Sequence, residues 1–324
     1  MAIAASRRRP LSRSQQWFTA SALTPIMLYM MAFTLLPMIW AVLITFFRYS
    51  PTRQGGVLGL GGGNPFVGLS NYADLFSDSP SGKLFRIAVK NTLIFALAVL
   101  PLNLALTLPL AALIESISER LKTIFRTIYF LPTVTSLVAV SLVWGVIYNP
   151  TFGLLNLILR SMGLKGMAWL SDPQTKVLGI ALPMLCLIIT YVWQDMGYNL
   201  VIFIAGLQSI PDVFHEAARV DGANAWQRFW NVTLPMISPT LFFNTVLAII
   251  GALQTFTLAF VATQGGPAYA TWFYALHIYT NAFNYFELGY AAALAWLFFV
   301  VLVTFTYLQF RFATRWVYYA GEVK

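Results

Sequence analysis

The sequence predicts an all-α integral membrane protein built as a bundle of six transmembrane helices. Hydrophobic residues make up 59% of the 324-residue chain and charged residues only 10%, against about 25% charged in an average soluble domain. A chain this poor in charge cannot cover itself with a polar surface, so lipid must cover much of it. Six apolar segments are long enough to cross a hydrocarbon core about 30 Å thick at 1.5 Å per residue. They are approximately 22–47, 88–113, 126–148, 177–203, 237–262 and 287–310.

The N-terminal segment, residues 1–21, is basic and contains four arginines. The apolar run that follows, residues 22–47, is too long for the h-region of a signal peptide and lacks an obvious small-x-small cleavage site. We therefore expect a retained signal anchor with its N-terminus in the cytoplasm.

Six spans place both chain ends on one side of the membrane. The last outside loop, about 263–286, has no lysine or arginine, whereas the tail, 311–324, has three such residues. Positive charge favours the cytoplasmic side, so we expect both termini in the cytoplasm of a bacterium-like cell. The loops at 49–87 and 149–176 are then external, and the second predicts a short helix that lies at the interface or packs on the bundle.

The fourth span carries a polar stripe. Tyr191, Gln194, Asp195 and Tyr198 are spaced i, i+3, i+4 and i+7, which places them on one helix face. Such a face avoids lipid and points to the bundle interior or a wet cavity. Aromatic rings beside hydrogen-bonding groups suit a polyhydroxylated ligand. The alternative is a stripe that only joins helices.

The fifth span carries small and polar residues along one side. They are Asn244, Ala248, Gly251, Ala252 and Thr255. One interpretation is close helix packing by small residues. The other is room for a solute that Asn244, Gln254 and Thr255 bind. Trp144 in the third span has two interpretations: its ring stacks against the same solute, or it anchors the span at the membrane interface.

The residues of this chain argue against several classes of function. Cys186 is the only cysteine and lies in an apolar run, and the two histidines fall on opposite sides of the membrane in this topology, so no metal or haem site is expected. The basic residues lie at the chain ends and beside apolar runs, which is typical of membrane topology and argues against nucleic-acid binding. No GxxxxGK[ST] phosphate-binding segment occurs.

A polar island, residues 209–235, separates the fourth and fifth spans. Ser209 to Asp212 has capping-box spacing and predicts a helix start there. Gly222 breaks that helix, a second begins at about Asn224, and Pro235 is expected to end it. Two short helices bent about a glycine at the membrane surface predict a rigid element that docks into another protein.

Residues 216–235 resemble the EAA loop of inner-membrane permease subunits of ABC importers. That pattern is Glu-Ala-Ala, three residues, Gly, nine residues and Ile-x-Leu-Pro. The matching residues are Glu216, Ala217, Ala218, Gly222, Leu234 and Pro235, with Val232 in place of Ile. Other stretches, among them FVGLSNY (66–72), TQGGP (263–267) and GYAAAL (289–294), resemble the carbohydrate branch of that family.

The resemblance implies a type I ABC importer permease that belongs to a binding-protein-dependent transport system and carries a sugar or related polyol. It implies four kinds of partner: a second permease subunit, two ATPase subunits, an external solute-binding protein and the solute itself. The chain would not be an enzyme and would bind no cofactor, because the partner ATPase would use ATP and Mg²⁺.

The same resemblance implies roles within the loop. Glu216 would make polar contact with the ATPase, Ala217 and Ala218 would allow close helix approach, and Gly222 would form the turn. Asp221 is expected to cap the second helix. The exposed parts of Trp226, Phe229 and Trp230 would anchor the loop, either to the partner or to the chain's own spans.

Two alternatives remain open at this point. One is the same architecture for a non-sugar solute such as glycerol 3-phosphate, for which a basic group facing the cavity would be needed; Lys90 is a candidate. The other is an ion-coupled carrier, which is disfavoured because Asp195 is the only ionisable residue well inside a span.

Overall fold

The computed structural model describes residues 12–56 and 59–318. Most of the predicted basic N-terminus and the end of the predicted tail lie outside these residues. From the N-terminus the helices are α1 (Arg13–Met30), α2 (Leu36–Ile44), α3 (Ser70–Phe76), α4 (Pro80–Glu115), α5 (Glu119–Val134), α6 (Leu137–Ile147) and α7 (Leu154–Ser161). They continue as α8 (Leu182–Gln208), α9 (Asp212–Val220), α10 (Ala225–Arg228), α11 (Leu234–Met236), α12 (Ser238–Leu253), α13 (Thr257–Ala262), α14 (Tyr274–Tyr279) and α15 (Leu288–Ala313). Wide π-helical turns occupy Met31–Leu35, Phe229–Thr233 and Thr280–Asn284, and β1 (Lys176–Val177) pairs antiparallel with β2 (Ile180–Ala181).

Among the described residues, five helical segments are long and apolar enough to cross a membrane. They are Arg13–Ile44, Pro80–Glu115, Leu182–Gln208, Ser238–Ala262 and Leu288–Ala313. A sixth span exists if α5 and α6 are counted as one, but these two helices meet at a bend of 98°. The third predicted span, 126–148, is therefore not one straight helix. Pro132 has no N–H for the helical ladder, and Thr135 adopts an extended conformation (φ −74°, ψ 136°) that ends α5.

Residues 12–73 and 281–296 form one compact unit. Its first helix begins at a capping box in which the side chains of Ser12 and Gln15 each accept a bond from the other residue's backbone N–H. Asn71 ties the end of α2 to α3, because its Nδ2 donates to the carbonyls of Thr45 (2.7 Å) and Phe47 (2.9 Å). Asn71 belongs to the FVGLSNY stretch, which therefore has a structural task here.

Residues 74–280 and 297–318 form a second compact unit, in which α8 packs against α4 and α5. Phe95, Val99, Leu187 and Ile188 are almost wholly buried in its main core. The approach of α8 to α5 is close: a Cβ at Gly197 would lie 2.2 Å from the Tyr129 carbonyl oxygen. This position accepts only glycine without movement of a neighbouring helix.

A second hydrophobic cluster of this unit lies at the other end of α4 and α8. It contains Leu108, Leu200, Phe203, Ile210 and Ile237, with Phe229 and Leu234 packed against it. Ile210 and Ile237 flank the predicted polar island, so this cluster attaches both ends of the island to the spans.

The helix predicted within 149–176 is present as α7. Asn156 is buried and joins α7 to the segment that follows: its Oδ1 accepts from the Met167 N–H (2.9 Å) and the Trp169 Nε1–H (3.0 Å). This amide holds the segment between α7 and β1 in place.

Candidate functional site

The polar island folds as two short helices, α9 and α10, that meet at a glycine turn. The predicted helix does start in this segment, at Asp212, but no capping box forms at Ser209. The Ser209 hydroxyl donates instead to the Gly206 carbonyl (2.7 Å) and closes the end of α8. Pro211 is the N-cap of α9, and Asp212 in the first turn places a negative charge at the positive end of the helix dipole.

Gly222 ends α9 in the left-handed conformation, with φ +79°. The Ala223 N–H donates to the Ala218 carbonyl (2.9 Å), and the Gly222 N–H donates to the Arg219 carbonyl (3.0 Å). These two bonds are the Schellman termination, which favours glycine at this position. A Cβ at Gly222 would meet no heavy atom within 4 Å, so the requirement for glycine comes from the backbone conformation and not from crowding.

Asn224, and not Asp221, caps the second helix, which corrects the sequence prediction. The Asn224 Oδ1 accepts from the Gln227 N–H (2.9 Å), and the Gln227 Oε1 accepts from the Asn224 N–H (2.8 Å). Asp221 is instead the C-terminal cap residue of α9. Gly222 and Ala223 form the turn between Asp221 and Asn224, so the second helix is capped by the residue two positions after the glycine.

Pro235 does not end the second helix. The chain widens into the π-helical turn Phe229–Thr233 and continues as α11 to Met236, where Pro235 sits in the first turn. Pro235 contributes no N–H to the helical ladder, but the helical path continues through it to Met236. The helical path breaks two residues later, at Ile237, and α12 then begins.

The outer surface of α9 and α10 exposes large apolar side chains, although it lies outside the spans. Val220 is 88% exposed and Trp226 is 69% exposed. The rings of Trp226 and Trp230 meet edge to face at 5.5 Å, and Phe229 and Trp230 meet at 5.7 Å. Phe229 is half-buried, so it supports the two exposed tryptophans from beneath.

Glu216 is exposed on this surface, as is Ala217, while Ala218 is half-buried. Among the described residues Glu216 forms no salt bridge. A loop that exposes a carboxylate and large aromatic rings is suited to a protein partner, since interface cores are enriched in aromatic side chains.

The inner side of the loop faces a polar pocket of about 660 Å³ at the ends of α4 and α8. Glu115 on its wall pairs with Arg126 and with Lys122 (3.4 Å), and it also accepts from Gln208 Nε2 (3.3 Å). These contacts join α4, α5 and α8 directly behind the loop. The loop is thus mounted on three helices that share one charged cluster.

The predicted stripe on α8 divides into different environments. Asp195 Oδ2 accepts from Asn103 Nδ2 on α4 (3.0 Å) and from Asn199 Nδ2 (2.6 Å), and Thr107 donates to Asn103 Oδ1 (2.7 Å). This polar network lies between two spans. Asn103, Thr107 and Asn199 were missed by the sequence analysis; an asparagine and a threonine one turn apart in an otherwise apolar span were the available signal.

Tyr191 meets the fifth span. Its hydroxyl would be 3.0 Å from a Cβ placed on Gly251, and its ring packs edge to face on Phe95 (5.4 Å). Thr255 is buried one turn beyond Gly251 and donates to that residue's carbonyl (3.2 Å). The structure therefore brings Tyr191, Gly251 and Thr255 together between α8 and α12.

Other predicted path residues lie apart from this group. Tyr198 and Gln254 are exposed, and Gln254 lines a separate groove with residues of α15. The Gln194 carbonyl accepts from Thr133 Oγ1 (2.9 Å) on α5. Asn244 is wholly buried, and both of its amide atoms lack a partner among the described residues.

Trp144 is half-buried in α6 and belongs to an aromatic group. Its ring lies 5.2 Å from Tyr148 and 5.6 Å from Trp193 on α8. Trp193 was not singled out from the sequence, because it lies one residue off the polar stripe. Within the described residues, no cluster of three or more histidine, cysteine, aspartate or glutamate side chains could hold a metal ion.

Comparison with known proteins identifies what this arrangement resembles. The family described as binding-protein-dependent transport system inner membrane component matches residues 108–318. The probable ABC transporter permease protein YesP of Bacillus subtilis is 33% identical over 304 residues, covering 93% of this chain and 91% of YesP. The lactose transport system permease protein LacF of Rhizobium radiobacter is 34% identical, covering 83% of this chain and 89% of LacF.

The sn-glycerol-3-phosphate transport system permease protein UgpA of Agrobacterium fabrum is 32% identical, covering 84% of this chain and 88% of UgpA. A solved structure of a bacterial ABC transporter involved in the import of the acidic polysaccharide alginate superimposes with a TM-score of 0.79. The superposition covers 93% of this chain and 96% of the transporter chain, and the two sequences are 22% identical. At that identity the likeness concerns the fold alone.

Proposed function

The chain belongs to the family of inner-membrane components of binding-protein-dependent transport systems and is a multi-pass permease, and from this premise we propose that it forms half of the path for a sugar or related polyol. The sugar class is supported by the resemblance of several stretches to carbohydrate permeases and by the name of LacF. An ion-coupled carrier is not favoured, because the relatives are named as subunits of ABC transport systems.

The single observation that carries the coupling role is the mounted loop of α9 and α10. Its outer surface presents Glu216 and the exposed rings of Trp226 and Trp230, while Ile210 and Ile237 fix its ends to the core. A force applied to the outer surface would thus be carried to α4 and α8. We assign this loop to docking on a cytoplasmic ATPase subunit.

The proposed assembly contains a second permease, two ATPase subunits and an external solute-binding protein. The sequence has no phosphate-binding GxxxxGK[ST] segment, so ATP and Mg²⁺ would be used by the ATPase subunits. Docking on a cytoplasmic ATPase requires the loop on the inner side. Four of the six spans precede this loop and two follow it, so both termini lie on the same side as the loop and are cytoplasmic.

For the solute path we propose the polar and aromatic residues of α6, α8 and α12. They are Trp144, Tyr191, Gln194, Asp195, Tyr198, Asn244, Gln254 and Thr255. Asn244 supports this assignment most directly, because a buried amide without partners is unfavourable. A rearrangement of α12 that opens a cavity would give it water or solute hydroxyls to bind.

The proposal is tested by tagging the chain and purifying it from gently solubilised native membranes. For each copy of the chain, two copies of an ATPase and one copy of a second six-span protein are expected. Glu216→Lys should reduce ATPase recovery and uptake while leaving the amount of inserted chain unchanged. Recovery of the chain alone, with no complex formed on adding ATPase subunits, would overturn the proposal.

A further inference from the structure

A groove of about 730 Å³ runs along the outside of the second unit, between α4 and α15. Its floor is aromatic and rigid: Phe85 and Tyr274 meet edge to face at 5.9 Å, and Tyr274 stacks on Phe298 at 4.7 Å. Thr92 Oγ1 lies under the floor and accepts from the Tyr274 N–H (2.9 Å). The Thr92 oxygen is therefore already engaged by the backbone.

The sides of the groove are apolar and open outward. Leu93 and Leu97 on α4 are exposed, the latter at 71%, and Val301 on α15 is half-exposed. The volume lies within the range of about 300–1,000 Å³ typical of ligand pockets. An apolar groove of this shape on a spanning segment faces the hydrocarbon of the membrane.

Two basic side chains, Arg86 and Lys90, line the same groove one helical turn apart. Arg86 pairs with Asp78 (3.0 Å), whose side chain is 96% exposed, and so exposed a pair contributes little. Lys90 forms no ion pair among the described residues. None of the described residues that line the groove is acidic, so the charge on its lining is positive and confined to one end.

The distance from the basic end to the apolar end equals the depth of one leaflet. Arg86 and Leu97 are eleven residues apart, or about 16 Å along an α-helix, and half of a hydrocarbon core is about 15 Å. A phosphate held between Arg86 and Lys90 would therefore place an acyl chain along Leu93 and Leu97, with its end near the bilayer centre.

We propose that this groove binds an anionic phospholipid, with the headgroup phosphate on Arg86 and Lys90 and an acyl chain on the aromatic floor. Basic pockets between transmembrane helices bind anionic headgroups on the cytoplasmic side of membranes, and we extend the same pairing of charges to this groove. In the topology proposed above the lipid belongs to the outer leaflet. A transmembrane helix of a second protein is the competing occupant; the apolar sides suit it as well, but it gives no role to two adjacent positive charges.

The test measures lipid and not transport, so its outcome is separate from that of the proposed function. The transporter is reconstituted with equal amounts of phosphatidylglycerol and phosphatidylcholine, purified in mild detergent, and its retained lipid is quantified by mass spectrometry. We expect phosphatidylglycerol to be retained in preference. Arg86→Gln with Lys90→Gln should lower its retention about fivefold for each residue changed.

Lys83→Gln is the matched control, because Lys83 is an exposed lysine on the same helix that does not line the groove. It should retain the wild-type amount. Leu97→Trp, which fills the apolar end, should lower retention without any change of charge. Equal retention of the two lipids, or wild-type retention in the double variant, would overturn the proposal and leave the groove to another helix.

Discussion

Gly222→Ala tests the coupling role of the loop with a minimal change in chemistry. Gly222 has φ +79°, and a Cβ there would meet no heavy atom within 4 Å, so the substitution penalises backbone conformation alone. A left-handed conformation costs an L-residue about 1–2 kcal/mol. That penalty lowers the equilibrium constant for forming the native turn about 5- to 30-fold. A smaller fraction of molecules would then keep the native orientation of α9 relative to α10.

Gly163 provides a control with the same geometry. It has φ +76° and open space where a Cβ would lie. The Gly163 N–H donates to the Arg160 carbonyl (3.0 Å), and the Leu164 N–H donates to the Leu159 carbonyl (2.8 Å). These are the bonds that Gly222 and Ala223 make at the end of α9. Gly163→Ala therefore carries the same conformational penalty at the end of α7, outside the loop of α9 and α10.

The assay is binding-protein-stimulated ATP hydrolysis by the reconstituted transporter, with thermal unfolding of each variant alongside. We expect similar decreases in unfolding temperature for both alanine variants and a several-fold loss of stimulated hydrolysis for Gly222→Ala only. Gly222→Asn should recover part of the activity, because asparagine tolerates the left-handed region. Equal losses in the two alanine variants, or full activity of Gly222→Ala, would refute the reasoning.

Three further predictions concern other parts of the chain. Trp226→Ala should weaken binding of the ATPase subunit by at least about 30-fold, because aromatic anchors at interfaces contribute about 2 kcal/mol or more. The control is Trp17→Ala, which changes an exposed tryptophan of α1 and should leave this binding unchanged. Titration with labelled ATPase measures the affinity of both variants. Gly197→Ala should lower the free energy of unfolding by about 1–3 kcal/mol, because its Cβ would lie 2.2 Å from a carbonyl oxygen of α5. Gly145→Ala has open space at its Cβ and should raise the free energy of unfolding by about 0.5–1 kcal/mol. Burial lowers the pKa of His277 to about 4, so the unfolded chain takes up a proton below about pH 6.5 while the folded chain stays neutral. Stability should therefore be constant above pH 6.5 and fall between pH 6.5 and 4, by about 1.4 kcal/mol at pH 5.5; a His277→Gln variant with the same acid sensitivity would contradict this.

The sequence predicted the helices of the polar island, residues 209–235, better than their boundaries. The turn at Gly222 follows from backbone conformation, which a local pattern can indicate. The capping box at Ser209 was wrong because the hydroxyl serves the preceding helix, a competition that spacing alone does not reveal. Pro235 was misjudged because a wide helical turn precedes it and places it in the first turn of α11.

The proposed solute path shows a different limit of prediction from sequence. Spacing identified a polar face on α8, but the partner of Asp195 is Asn103, which is 92 residues earlier in the chain. Only the tertiary arrangement of α4 and α8 brings these two side chains together. The same is true of Tyr191 and Gly251, whose closeness depends on how α8 and α12 cross.

The bend between α5 and α6 restricts what surrounds this part of the molecule. Arg126 is the last charged residue before it, and Val134 lies eight residues on, or about 12 Å deeper, near the middle of a core about 30 Å thick. The first turn of α6 has N–H groups without helical partners and no side-chain cap, and residues 134–136 are exposed within the chain. Hydrocarbon cannot satisfy such groups, so irregular backbone at this depth occurs only beside water or protein. The face with the bend is thus the side of the unit from which lipid must be excluded, even before any partner has been identified.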